Sequence, residues 1–198
     1  MNRLQNRAAL LLGTTAITVL LPTIAQAHTG QGAASGFWHG VTHPIGGLDH
    51  ILAMVAVGIW ASQIGGKALW IVPLSFVGVM ALSGIAGMAG VPLPLVEQGI
   101  VLSVLVLGVL IAATAKFPLP VSAAIVGLLA IFHGYAHGAE MPDNTTGLLY
   151  GLGFVISTAL LHAIGIGAGW LVQRFTKEQV IRYVGGAIAL SSLYLWFA

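Results

Sequence analysis

Apolar positions follow one another in long runs along this chain, and the polar positions that separate the runs are few. Six runs are long enough for membrane helices, and the breaks between them carry charges, Pro or Gly. The predicted helices span approximately 44–63, 68–89, 95–115, 118–138, 147–172 and 180–197. A bilayer crossing needs about 20 apolar residues, and uninterrupted runs of this length favour helix over strand. The pattern therefore predicts an all-α integral membrane protein, a bundle of six transmembrane helices.

The amino-terminal run has a different organisation. Two arginines precede an uncharged stretch that ends at Leu21, and a small-residue triplet ends at Ala27. This is the three-part layout of a secretory signal peptide, whereas a first transmembrane helix would need a longer apolar run. We therefore expect residues 1–27 to be cleaved and residues 28–198 to form the six-helix domain. His28 would then begin the mature chain, where its amine and imidazole together are a weaker candidate metal ligand.

Charges in the short connections predict the orientation in the membrane. If the mature amino terminus lies outside, all basic residues beyond the signal fall on inner connections: Lys67, Lys116, Arg174, Lys177 and Arg182. This distribution obeys the positive-inside rule, and it places both mature termini on the periplasmic side of a bacterial inner membrane. Acidic residues lie at or near the predicted outer ends: Asp49, Glu97, Glu140 and Asp143. Such a distribution suits the entrance of a cation path.

Composition narrows the function further. The chain is 58% hydrophobic and 6% charged, which excludes a soluble enzyme, a disordered chain and a nucleic-acid binder with a basic patch. It contains no cysteine, so any metal ligands must be imidazole, carboxylate, thioether or backbone groups. No phosphate-binding loop is present and no connection can hold a nucleotide domain, which excludes an ATP-driven pump. We expect neither enzymatic activity nor a prosthetic group.

Small residues at i, i+4 predict close helix packing. Gly147 with Gly151, and Gly165 with Gly169, would let neighbouring helices approach each other where no water drives their association.

A first polar cluster lies at the start of the first predicted helix. It contains His43, Asp49 and His50. On one continuous helix the two histidines, seven residues apart, would almost eclipse each other, and Met54 would follow one turn later as a weaker candidate. The glycines between the two histidines would allow local unwinding, which would turn backbone carbonyls inward.

A second polar cluster ends the fourth predicted helix. His133 and His137 have the i, i+4 spacing by which one helix presents two imidazoles to one ion, and Glu140 follows on the same face. Such a pair alone also occurs as hydrogen-bonded core residues. Two clusters at the same predicted end favour a metal path, because unpaired imidazoles are costly to bury in lipid.

Three further polar residues are more ambiguous. Glu97, at the start of the third predicted helix, is either an interfacial carboxylate or a further ligand. His162, in the middle of the fifth, favours a hydrogen-bonding role between helices over a role as ligand. His39 precedes the first predicted helix and is interpreted as interfacial.

The two clusters resemble the HupE/UreJ family of membrane proteins. The family pattern H-x5-D-H is met by His43, Asp49 and His50. The pattern F-H-G-x-[A/V]-H-G-x-E is met in full by the segment from Phe132 to Glu140. The resemblance also covers the architecture of a signal peptide and six helices, and it implies a nickel or cobalt permease linked to hydrogenase, urease or cobalamin metabolism. A carboxylate at the position of Glu97 is similar to one in the family.

We therefore expect a permease that moves Ni²⁺ or Co²⁺ into the cytoplasm, with the ion as substrate. Nitrogen and oxygen ligands suit both ions, so the choice between them stays open. Besides the ion and the lipid bilayer, a homo-oligomer and an extracytoplasmic metal carrier are candidate partners. No nucleic acid is expected.

An intramembrane hydrolase is the alternative function. Ser83-Gly84 is similar to the nucleophile motif of rhomboid proteases, although Ala81 stands where those proteins have glycine. The HxxxH pair together with Ser83 and Asp49 is loosely similar to zinc-dependent membrane amidases of the ceramidase type. Both polar clusters match the permease pattern better.

Overall fold

The computed structural model describes residues 33–141, 146–176 and 178–197. These residues form seven α-helices and no strand: α1 (Ala33–Gly46), α2 (Leu48–Ile64), α3 (Ala68–Met88), α4 (Val96–Ala112), α5 (Leu119–Ala139), α6 (Gly147–Phe175) and α7 (Glu178–Phe197). The predicted signal peptide, His28, Asp143 and Lys177 lie outside the described residues.

The first predicted helix, 44–63, is wrong in its boundaries. Gly47 adopts an extended conformation, with φ −106° and ψ 127°, and it separates two helices that are bent by 82°. The amino-terminal one, α1, already begins at Ala33. The other five predicted ranges agree with helices α3 to α7 within three residues at each end. Consecutive glycines have low helix propensity, and the glycine pair therefore ends one helix and lets the next begin in another direction.

Length and apolar character identify four single helices of the described chain as membrane spans, namely α3, α5, α6 and most of α7. The bent pair of α1 and α2 makes a fifth candidate if it is one broken span. Helix α4, with 17 residues, is shorter than the four single spans. The count of six spans therefore stays a prediction.

The bundle places apolar side chains on its outside and polar ones inside. Leu74, Leu82 and Leu128 are each more than 60% exposed. Fully or almost fully buried polar side chains include Ser103, Thr158 and three histidines. This inversion of the soluble pattern fits a lipid surrounding.

Helices that are not adjacent in the chain pack most closely. The Ser75 hydroxyl of α3 donates to the Ala123 carbonyl of α5, and the Ser83 hydroxyl donates to the Ile131 carbonyl. From the first bond to the second, the position advances by eight residues in both helices, so the two helices run parallel. Helices α2 and α6 are also parallel, whereas α4 and α7 are antiparallel. The even-numbered helices α2, α4 and α6 consequently start at one end of the bundle, which is also where α3 and α5 finish.

Glycines set the distance between these helices. A Cβ on Gly165 would collide with the Val55 carbonyl oxygen of α2, and one on Gly169 with the Ser62 hydroxyl. The predicted close packing at this pair is therefore confirmed. For the other pair the outcome is divided. A Cβ on Gly147 would lie 3.1 Å from the sulfur of Met88 on α3, a close approach between helices, whereas one on Gly151 would meet only Phe154 of its own helix among the described residues, at 3.8 Å.

We expect Gly165→Ala to destabilise the fold by about 1–3 kcal/mol, because the added methyl group overpacks a backbone contact that cannot move aside. Gly167→Ala is the matched control on α6, since a Cβ there meets nothing within 4 Å in the described part of the chain. The apparent melting temperature of the purified protein in detergent measures both effects. Equal melting temperatures for the two variants would contradict the packing argument.

Candidate metal site

Four histidines from three helices meet at the end of the bundle where α2 begins and α5 finishes. We call His43, His50, His133 and His137 the histidine cluster. The ring centroid of His137 lies 4.9 Å from that of His43 and 4.7 Å from that of His50, and His50 lies 5.0 Å from His133. His133 and His137 are completely buried.

These separations are those expected of rings around one ion. A metal lies about 2.0–2.1 Å from an imidazole nitrogen, so two rings that share it have centroids about 4.5–5.2 Å apart. Among the described residues, however, no three His, Asp or Glu side chains already point their ligand atoms at one position. A metal ion held by three of these side chains would therefore require ring rotations within the cluster.

The break at Gly47 gives the first motif its geometry. His43 ends α1 and His50 begins α2, so the prediction that they form one stripe on a continuous helix is wrong. Their ring centroids are nevertheless 6.4 Å apart, because the bend turns both helix ends toward α5. The two motifs thus converge as predicted, but from three helices instead of two.

Asp49 orients His50. Its carboxylate oxygen Oδ1 lies 2.9 Å from His50 Nδ1 and 2.8 Å from the His50 backbone nitrogen. A carboxylate can only accept these bonds, so the ring proton is on Nδ1 and the lone pair on Nε2. That Nε2 atom is buried and has no partner in the described residues. The position of Asp49 is that of the outer carboxylate which commonly holds a metal-binding histidine.

Ser103 of α4 orients His133 in the same way. Its hydroxyl lies 2.6 Å from the Ile100 carbonyl oxygen and 2.6 Å from His133 Nε2. The single hydroxyl proton of Ser103 points at the Ile100 carbonyl oxygen, because the two oxygen atoms would otherwise face each other with lone pairs and repel each other. His133 therefore donates its Nε2 proton to Ser103, which leaves the lone pair on Nδ1, an atom without a partner in the described chain.

Sequence reasoning missed Ser103. The available signal was a lone hydroxyl between Leu102 and Val104 in an apolar helix. A serine in a helix often bonds only its own backbone, so the sequence did not distinguish a positioning serine from an ordinary one.

Glu140 follows the last residue of α5 and pairs with His43. Its Oε2 atom lies 3.0 Å from His43 Nε2. This hydrogen bond lowers the pKa of Glu140 below its usual range, although partial burial opposes the shift. A carboxylate that stays ionised at the edge of the histidine cluster favours a cation there.

Glu97 lies near the cluster but in a different position. It shares a cavity of about 260 Å³ with Asp49, between the starts of α2 and α4 and the end of α7. Glu97 is exposed, so it can meet an ion before the buried histidines do.

The other predicted residues lie elsewhere. Met54, fully buried one turn after His50, contacts Thr158 of α6, and His162 is buried beside Phe76.

The predicted nucleophile Ser83 donates to the Ile131 carbonyl, and no histidine of the described chain accepts its proton. Ser103 and His133 do form a pair, but the direction of proton donation is the reverse of that in a serine nucleophile.

Known proteins match almost the whole chain. The family model described as HupE / UreJ protein matches residues 16–195. Protein HupE of Rhizobium leguminosarum bv. viciae is 50% identical over 184 residues, which are 92% of this chain and 95% of that protein. No solved structure matches.

We expect Ser103→Ala to weaken Co²⁺ binding by the purified protein about 10- to 100-fold, as is usual when the group that orients a ligand is lost. Ser103→Thr should keep most of the affinity, because it keeps the hydroxyl. The control is Ser192→Ala, which removes a buried serine with the same 2.6 Å bond to a carbonyl three residues earlier but with no histidine partner in the described chain. Titration followed by cobalt absorption measures the affinities, and equal losses in the two alanine variants would refute the positioning role.

Proposed function

Because the chain belongs to the HupE/UreJ family, we propose that it is a permease that carries Ni²⁺ or Co²⁺ through the bundle into the cytoplasm. One observation carries this proposal. The histidine cluster contains two buried ring nitrogens without a partner in the described residues, His50 Nε2 and His133 Nδ1, and the other nitrogen of each ring makes an outer hydrogen bond. Neutral imidazole is a preferred ligand of nickel and cobalt.

The buried histidines support transport better than a structural role does. Neither ring nitrogen of His137 has a partner in the described residues, although the ring is stacked on Phe154 at 5.2 Å. A buried polar group without a partner is unfavourable, so these rings reduce the stability of the empty protein. A passing divalent cation would supply the missing interactions.

Charge distribution supports inward movement. The cluster end of the bundle carries Asp49, Glu97 and Glu140, whereas Lys67 and Lys116 lie at the opposite end. By the positive-inside rule the cluster end faces outward. A membrane potential that is negative inside then favours uptake of a divalent ion by about 4.6 kcal/mol per 100 mV.

The opposite end offers an exit. A cavity of about 360 Å³ opens between the ends of α2, α4 and α6 and the start of α7, and it is lined by Gln63, Thr114, Lys116, Gln173 and Ile181. Neutral oxygen ligands next to a lysine hold a cation weakly, which suits release into the cytoplasm.

We expect His50→Ala and His137→Ala each to reduce cobalt or nickel accumulation by cells at least about tenfold, because an ion that leaves water needs several replacement ligands at once. His39→Ala is the control, a histidine of α1 without ring contact to the cluster in the described residues. Ser83→Ala should also keep transport, whereas a hydrolase would depend on it. Accumulation that survives both cluster substitutions in a well-expressed double variant would overturn the proposed path.

We also expect the carboxyl terminus to lie on the periplasmic side. Alkaline phosphatase fused after Ala198 should be active, because this enzyme needs the oxidising periplasm. A fluorescent protein that matures only in the cytoplasm should stay dark at the same position. The reverse result would contradict the orientation and the number of spans together.

A further inference from the structure

Two methionine sulfurs converge on one hydroxyl beside the histidine cluster. Thr158 Oγ1 of α6 lies 3.4 Å from the sulfur of Met54 on α2 and 3.7 Å from the sulfur of Met80 on α3. All three residues are completely buried. Three helices thus bring two thioethers and a hydroxyl to one place.

His162 lies one helical turn from Thr158. It follows Thr158 by four residues on α6, so both side chains lie on the same helix face. Its ring is buried, and neither of its nitrogens has a hydrogen-bond partner within the described part of the chain. A buried imidazole without a partner calls for a physical reason, and a polar ligand or ion that binds beside it is one.

The group lies next to the histidine cluster. The ring of Phe76 lies 5.6 Å from that of His133 and 5.2 Å from that of His162, and therefore contacts both. Met54 follows His50 by one turn of α2. An ion that moves inward from the cluster consequently reaches these ligands next.

We propose that Met54, Met80, Thr158 and His162 form a second metal site, the thioether site, which takes Ni²⁺ or Co²⁺ from the histidine cluster during transport. This inference rests on the proposed function and deepens it. The site contains no carboxylate, so it should hold the ion weakly enough to release it, as conduction requires. Thioether ligands are soft and suit Cu(I) best, but together with the imidazole of His162 they also favour nickel and cobalt over the hard ions magnesium, calcium and manganese.

The ligands are free to bind without breaking the fold. Thr158 has one proton, so the two sulfurs keep lone pairs that can face an ion. A threonine within a helix can also donate to the carbonyl four residues earlier. Thr158 then turns its oxygen toward the ion.

X-ray absorption at the nickel edge tests the site, with purified full-length protein saturated with Ni²⁺ in a sulfur-free buffer. The chain has no cysteine and five methionines, so every nickel–sulfur contact must come from a methionine. We expect a sulfur shell in the wild type and its loss in the Met54→Leu/Met80→Leu double variant. Leucine nearly conserves the volume of methionine and is among the replacements best tolerated in a core.

The matched control is the Met88→Leu/Met141→Leu double variant. These two sulfurs also converge, since a Cβ on Gly147 would lie 3.1 Å from one and 3.5 Å from the other. The control variant should keep the sulfur shell. Absence of the shell in the wild type, or its loss only in the control variant, would overturn the proposed site.

The result is independent of the transport experiment. A methionine-dependent sulfur shell in a protein that accumulates no metal in cells would refute the permease and leave the thioether site standing. Metal accumulation by a protein whose bound nickel has no sulfur neighbour would refute the thioether site and leave the permease standing.

Discussion

Close contact between helix backbones is the constraint on which this molecule depends. Apolar side chains gain little by leaving lipid for a protein interior, so helices in a membrane associate through packing and hydrogen bonds. Gly134 and Gly138 bring α5 against the carbonyl oxygens of Met80 and Gly84 on α3. The same stretch of α5 carries His133 and His137, and its contact with α3 therefore fixes the height of both imidazoles in the bundle. One stretch of α5 therefore determines both the packing against α3 and the position of the two histidines.

The structure also explains how three of the four imidazoles of the histidine cluster are tolerated. Asp49 and Ser103 each accept a ring proton from one histidine, and Glu140 pairs with a third. Each of these bonds satisfies one nitrogen and leaves the other available. The arrangement gives fixed ring orientations without using up the ligand atoms, which is the usual role of the groups behind a metal-binding histidine. For the proposed permease, such an arrangement would balance the stability of the bundle against affinity for a metal ion.

Much of this was accessible from the sequence, because apolar run length determines where membrane helices lie and the i, i+4 spacing places His133 beside His137. The sequence did not predict the bend at Gly47, since a glycine pair between two apolar stretches is compatible with a continuous helix as well as with a break. It also did not predict the contacts of Ser103, Met80 and Thr158. Their partners lie on other helices, 30 to 104 residues away, and a periodicity within one helix carries no information about contacts between helices.

The pairing of helices has a consequence for biosynthesis. Helices leave the ribosome in chain order, yet α3 packs against α5, α2 against α6 and α4 against α7. The first helices to be inserted therefore wait in the bilayer for partners that are synthesised later. His137 meets the ring of Phe154, and Met54 meets Thr158, only after α6 has arrived. Until then, these side chains of the earlier helices lack the contacts that bury them in the finished bundle.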